Sequence, residues 1–207
     1  MSARPLVHFT CFGAEPAGAA RAELVAGNAY DVERIEVVRG PGVPGIAAGM
    51  TLWRLESKGQ PIHPTASLIG TTQHQVYTEL ATRRALADAS LVRSGPIAVL
   101  IPIRKSPEWW ALAQDERQAY FVQAAQAGHI ALGQPYAGRI ARRLYHSRYL
   151  PNSDWDFLTY FEFAKPDTGA FRDLLATLRD PTKNPEWGFV DREVEVWMTQ
   201  KEAVSAA

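Results

Sequence analysis

Residues 97–103, IAVLIPI, form an almost unbroken apolar run. The run is too short for a buried helix and rich in β-branched residues, so it reads as a strand covered on both faces. Ser106-Pro107-Glu108 comes next, with a capping hydroxyl, a proline at the first helical position and an early acid. A single long helix is then expected, running through WWALAQDERQAYFVQAAQAGHI to about residue 132, where Gly133, Pro135 and Gly138 end it. RIARRLYHSR (139–148) and WDFLTYFEF (155–163) read as strands joined by the turn-prone Pro151-Asn152-Ser153-Asp154. DTGAFRDLLATLR (167–179) is an amphipathic helix, and GFVDREVEVWMT (188–199) alternates through Val190, Val194, Val196 and Met198. Residues 97–199 thus run strand, helix, strand, strand, helix, strand, the ferredoxin-like succession.

Upstream, residues 5–12, 30–39 (YDVERIEVVR) and 51–56 (TLWRLE) read as strands. The stretch GPGVPGIAAG (40–49) is too dense in Gly and Pro to continue either neighbour, so it is a turn or surface excursion. Residues 66–90 carry a rough helical stripe of Val76, Leu80, Arg84 and Ala87, which Ser94-Gly95-Pro96 stops. The expected class is α+β. A reduced N-terminal ferredoxin-like half (1–96) meets a C-terminal half (97–199), followed by a polar tail (200–207). Two such halves pack sheet to sheet or close a barrel of the dimeric α/β type, leaving a cavity between sheet and helices.

The 207 residues are 46 % hydrophobic and 21 % charged, a composition that folds. Lys plus Arg number 22 and Asp plus Glu 22, so no net field draws nucleic acid or an acidic membrane. One cysteine, Cys11, builds neither an internal disulfide nor a thiolate metal site. The first 16 residues are too polar for a signal-peptide core, and no run approaches the roughly 20 apolar residues of a membrane span. A soluble cytoplasmic protein is expected.

Without thiolates, a transition metal must be held by imidazole or carboxylate. No two of His8, His63, His74, His129 and His146 have the helical spacing of a zinc pair. His129 stands beside Gly128. It is either a satisfied interior histidine or a ring that points into a cavity with room for a flat group. Arg142 shares one strand face with Ile140 and Leu144. A guanidinium there is either part of a structural ion pair or waits for an anion, because an unpaired buried charge is costly. Arg139, Arg143 and Arg148 are expected to be solvated.

LIPIRKSPEWWALAQDERQAYF, HIALGQPYAGRIARRLYHSR, DFLTYFEF and EWGFVDREVEV together resemble the chlorite dismutase family of haem proteins, in its shorter branch. The likeness is dense over residues 97–198 and loose before them. It rests on a histidine, a tyrosine 7 positions later and an arginine 13 positions later: His129, Tyr136 and Arg142. The resemblance implies haem b in the C-terminal half, with His129 as the iron ligand and Glu186 accepting the hydrogen bond that tunes the imidazole. It implies that Lys105 reaches a haem propionate and Tyr77 a second one, and that Trp109 and Trp110 flank the haem. Core packing at a helix start is the other reading of Trp110. Arg142 would be the catalytic distal residue, and its presence favours chlorite decomposition over the related coproheme decarboxylases, which commonly carry glutamine there. The implied reaction converts chlorite to chloride and dioxygen through a ferryl species and transient hypochlorite that Arg142 retains. A homodimer is implied as well. A weak peroxidase, an aldoxime dehydratase-like enzyme and a haem-handling protein are the alternatives on the same scaffold. Tyr160 stands where relatives can hold tryptophan, which bears on radical migration, and the insert at 40–64 departs from shorter relatives.

Overall fold

The computed structural model describes residues 8–16, 29–59, 68–72, 95–122 and 129–201. Eight antiparallel strands close a barrel: β1 (His8–Pro16), β2 (Ala29–Arg39), β3 (Met50–Lys58), β4 (Leu68–Thr72), β5 (Ile97–Lys105), β6 (Ile140–His146), β7 (Phe157–Phe163) and β8 (Val190–Gln200). The order around the barrel is β1-β3-β2-β8-β5-β7-β6-β4. Each half therefore repeats one neighbour pattern, β4-β1-β3-β2 in the first and β8-β5-β7-β6 in the second. The two four-stranded sheets meet along a long β2–β8 seam and, opposite it, at the pair Thr71↔His146. The α+β class holds, and the barrel alternative is the one realised. Among the described residues no helix is long and apolar enough to cross a membrane.

β5 is central as its composition requires, with β7 on one side and β8 on the other. The ladder to β8 skips Ile101 and Pro102, because Pro102 has no N–H to donate. Alternation then divides the C-terminal sheet. Ala98, Leu100, Tyr145, Leu158, Tyr160, Val194, Val196 and Met198 fill the barrel with Phe12, Tyr30 and Leu52. Val99, Ile101, Ile140, Phe161, Phe163 and Trp197 line the outer face. That face is covered by the helix Thr168–Leu178, whose Phe171, Leu174 and Leu175 are buried at helical spacing.

Three expectations change. Residues 68–72 are strand β4 and not the start of a helix, and 73–94 lie outside the described residues. Gly70 weakens any helix there, and a Cβ at Gly70 would meet Tyr145 Cβ at 2.5 Å, so the close approach of β4 to β6 requires glycine. The expected single helix after β5 is broken. It consists of α1 (Pro107–Ala111), α2 (Gln114–Val122) and α3 (His129–Gly133), with 123–128 outside the described residues. The break lies at Leu112, whose φ −63° and ψ 143° are extended, and the Glu116 carboxylate accepts the Ala113 backbone N–H at 2.6 Å. That bond caps a new helix. Finally, the Gly/Pro-rich loop is no mere surface excursion. Its Val43 and Ile46 are buried in the barrel core, and Arg192, stacked 4.1 Å over Trp155, donates to the carbonyls of Pro41 and Gly42.

Candidate functional site

The outer face of the C-terminal sheet, apolar at its centre, turns charged toward the ends of β5, β6 and β8. Glu186 lies in a 3-10 turn, Pro185–Phe189, that leads into β8. It is 8 % exposed, and its Oε1 is 2.6 Å from Lys105 Nζ at the end of β5. Lys105 is 6 % exposed, its ammonium lies 4.8 Å over the Trp109 ring, and it also donates to the Glu186 carbonyl at 3.4 Å. Taking two charges out of water costs several kcal/mol per ion, so this pair exists only because each partner satisfies the other. Here the Lys105 ammonium is seated on Glu186.

Arg142, on β6, approaches the same acid. It pairs with Phe161 across the sheet and shares the outer face. Burial pulls its guanidinium below its ordinary value, and the Glu186 carboxylate opposes that shift. Its surface is only partly covered. Among the described residues no carboxylate hydrogen-bonds it; Glu186 is the one charge that acts on it.

Trp109 and Trp110 diverge, as adjacent helical residues must. Trp109 is 2 % exposed and packs against Tyr120 and Phe189. Trp110 lies over Phe157, with ring centroids 6.1 Å apart. Its Nε1 donates to Asp156 Oδ2 at 3.2 Å, and Arg148 lies 3.7 Å over its ring. Arg148 is thus not simply solvated, since it also donates to Asp156 Oδ1 at 2.7 Å. Arg139 pairs with Asp167 at the surface, and Arg143 lies 3.6 Å from Glu56. His129 opens the described stretch α3, and Tyr136 packs against the outer-face cluster. Tyr77 lies outside the described residues. Tyr160 is not part of this site: it lies inside the barrel, its hydroxyl bonded to Tyr30 OH at 2.9 Å and Glu162 Oε1 at 2.5 Å.

Sequence reasoning missed Asp156 and an acidic pair on β8. Glu193 and Glu195 are 5 % and 3 % exposed. Both are held by Arg179 at the end of the covering helix, at 2.5 Å and 2.6 Å, and Trp197 Nε1 donates to Glu195 at 2.6 Å. Burial pushes the Glu193 carboxyl up, and Arg179 and Lys105 oppose it. The alternating EVEV of β8 carried this signal, but acids at alternate positions ordinarily mark a solvated face.

Two four-stranded antiparallel sheets closed into one barrel, with a helix packed on the outer face of the second, define an α+β barrel protein. The chlorite dismutase family profile matches residues 47–188, and the chain belongs to that family. It is 31 % identical over 132 residues to the chlorite dismutase of Ideonella dechloratans, which covers 60 % of this chain and 43 % of that protein. The chain therefore spans about two fifths of that relative's length. The dimeric chlorite dismutase of Nitrobacter winogradskyi is 31 % identical and superposes with a TM-score of 0.68, covering 93 % of this chain and 99 % of that one. The chlorite dismutase of Candidatus Nitrospira defluvii, in complex with imidazole, shares the fold at 20 % identity, with a TM-score of 0.63 over 94 % of this chain and 91 % of that one.

Proposed function

We propose that the protein is a haem b-dependent chlorite dismutase that converts chlorite to chloride and dioxygen. On this reading its two halves are ferredoxin-like, the second carries the haem, and the protein is a homodimer like its Nitrobacter relative. A half-buried guanidinium on the outer face of β6, with no hydrogen-bonded carboxylate among the described residues, carries the reading. Such a cation suits the anionic face of a small oxyanion. The residues fit the cofactor. His129 would ligate the iron, Glu186 would accept the imidazole N–H, and Trp109 and Trp110 would flank the ring. When bound, the haem supplies the iron centre at which oxygen leaves chlorite.

The chain's own groups do the rest. Lys105, 2.6 Å from Glu186, offsets the burial of that carboxylate, so that Glu186 can accept a hydrogen bond and fix the tautomer of the ligand. Arg142 binds the entering anion, orients it and retains the transient hypochlorite. Asp156 fixes the backbone at Lys105 and the indole of Trp110, so the end of β5 and that indole hang from one carboxylate.

The test is oxygen release from haem-reconstituted protein on adding chlorite, beside Arg142→Ala and His129→Ala. Wild type is expected to release oxygen rapidly. Arg142→Ala keeps its haem, turns over more slowly and bleaches faster. His129→Ala loses haem. Wild type that binds haem without releasing oxygen refutes the reaction, and an unchanged haem spectrum in His129→Ala refutes the ligand.

A further inference from the structure

The turn Pro185–Phe189, which carries Glu186, is tied to the C-terminal half on one side. Lys105 Nζ donates to the Glu186 carbonyl, the Ser106 N–H donates to the Phe189 carbonyl at 2.8 Å, and the Asn184 amide donates to the Leu178 carbonyl at 2.7 Å. One further tie comes from the other half of the barrel. Arg39, the last residue of β2, donates Nη1 to the Val190 carbonyl at 2.6 Å and lays its guanidinium 4.7 Å over the Trp187 ring, a distance at which cation and ring attract. The Val190 N–H bonds back to the Trp187 carbonyl, so Arg39 grips both the residue that follows Glu186 and the residue that ends its turn.

Regular alternation would not bring Arg39 there. Along the β2–β8 seam Glu36 stands opposite Glu195 and Val37 opposite Val194, and the register then shifts so that Arg39, and not Val38, stands opposite Glu193. Without that shift Val38 would take the outward position and Arg39 would point to the barrel side with Val37. The extra residue turns Arg39 onto the outer face, as a bulge does when it re-aims a side chain. Arg34 shows the ordinary contact on the same strand: it stacks 3.9 Å over Trp197 and pairs with Glu36 of its own strand at 2.6 Å. Arg39 makes no ion pair among the described residues, and its head is engaged by Trp187 and Val190.

We propose that Arg39 is a positioning residue for the haem site: by holding Trp187 and Val190 it fixes the turn, and with it the direction in which the Glu186 carboxylate meets the imidazole of the iron ligand. This rests on the proposed haem ligation by His129 and on the proposed bond from its imidazole to Glu186. Lys105 seats one carboxylate oxygen, Oε1, at 2.6 Å. A hydrogen bond that tunes a metal ligand also depends on alignment, and that is set by the backbone of the turn. Through Arg39, 151 positions from Val190 in the chain, the first half of the barrel bears on the iron ligand of the second.

The haem-loaded full-length protein tests this through the iron–histidine stretching band of the ferrous form and through kcat and KM for chlorite. Arg39→Met is expected to lower and broaden the band and to reduce kcat several-fold with KM little changed, since Arg39 acts through the turn and not on the anion. Arg39→Lys keeps the charge and a donor for the Val190 carbonyl but loses the flat stack, so its band should fall between the two. Arg34→Met removes a like stack from β8 away from the turn and should leave the band in its wild-type place. In a Glu186→Gln background Arg39→Met should move the band by less than half as much, because Glu186 transmits the effect. If Arg39→Met does not fold, Arg39→Lys and Trp187→Phe, which narrows the stacking surface, should still lower the band. A folded Arg39→Met with the wild-type band overturns the proposal. So does an equal shift from Arg34→Met, a full-sized shift in the Glu186→Gln background, or a loss of turnover confined to KM. His129→Ala, run in parallel, separates the two failures. If it keeps the wild-type haem spectrum the ligation reading falls; if it loses that spectrum and Arg39→Met changes nothing, only the role of Arg39 falls.

Discussion

Replacing Asp156 tests whether one carboxylate holds both the end of β5 at Lys105 and the Trp110 indole in place. Its Oδ2 accepts the Lys105 backbone N–H at 2.7 Å and Trp110 Nε1 at 3.2 Å, and its Oδ1 accepts Arg148 Nη1 at 2.7 Å. All three partners are donors, so an asparagine has no orientation that serves them all. It will turn its amide nitrogen toward Arg148, whose side chain is 32 % exposed and recovers hydrogen bonds from water. That loses a partly exposed pair, worth about 1 kcal/mol or less. It also turns two bonds to a charged acceptor, about 1.5–3 kcal/mol each, into neutral ones of about 1 kcal/mol. Asp156→Asn should therefore cost about 2–3 kcal/mol, which lowers Tm by about 4–12 °C in a chain of this size. Asp156→Ala leaves two buried donors without an acceptor, at about 1–3 kcal/mol each beyond the lost bonds, and should cost about 4 kcal/mol or more. Urea unfolding of the haem-free protein followed by circular dichroism gives both values, since bound haem would add its own linkage. If alanine were no worse than asparagine, or both losses fell below about 1 kcal/mol, Asp156 would not be the anchor described.

Gly70→Ala should destabilise by about 1–3 kcal/mol, because the new Cβ would meet Tyr145 Cβ at 2.5 Å and Leu158 Cδ1 at 3.3 Å, neither easily moved; thermal unfolding measures it, and a neutral result would show that β4 can withdraw from β6. Burial pushes the His146 imidazole, which packs edge-on against Phe157 at 5.3 Å, below its ordinary value. The unfolded chain then takes up that proton first, near pH 6.5, so the histidine's contribution is present above that pH and is lost as pH falls through the depressed native value. His146→Gln should accordingly lose less stability than wild type between about pH 7 and pH 5, and parallel pH profiles would refute the assignment.

The elements that were legible in the sequence had one dominant signal. β5 is apolar on both faces, the β6–β7 hairpin alternates around a Pro-Asn turn, and the covering helix repeats Phe171, Leu174, Leu175 and Leu178 at helical spacing. β4 was missed because LIGTT is only five residues long and its partners β1 and β6 are distant in sequence. The break at Leu112 was missed because every residue from 109 to 122 tolerates a helix; the cap made by Glu116 outweighs that tolerance. In the site, Lys105 and Glu186 were each named only through the family resemblance. Their pairing was not legible, for an ion pair between the end of β5 and a turn 81 residues later leaves no local pattern.

The two faces of the C-terminal sheet also settle where a substitution can act. A strand's side chains alternate, so a slip of one residue would exchange the faces completely. The observed register puts Arg142 opposite Phe161 on the outside and Arg143 opposite Tyr160 on the inside. Tyr160 then belongs with Tyr30, Arg54 and Glu162 in the barrel's polar centre, and a change there acts on the barrel core before it acts on the pocket. The outer face carries three buried carboxylates, Glu186, Glu193 and Glu195, and the cations Lys105, Arg179 and Arg142. Lys105 and Arg179 each have a carboxylate oxygen within 2.6 Å. Arg142 has none among the described residues. The layer is neutral by count but not by place: Lys105 and Arg179 sit directly on carboxylates, whereas Arg142 feels Glu186 only through its field.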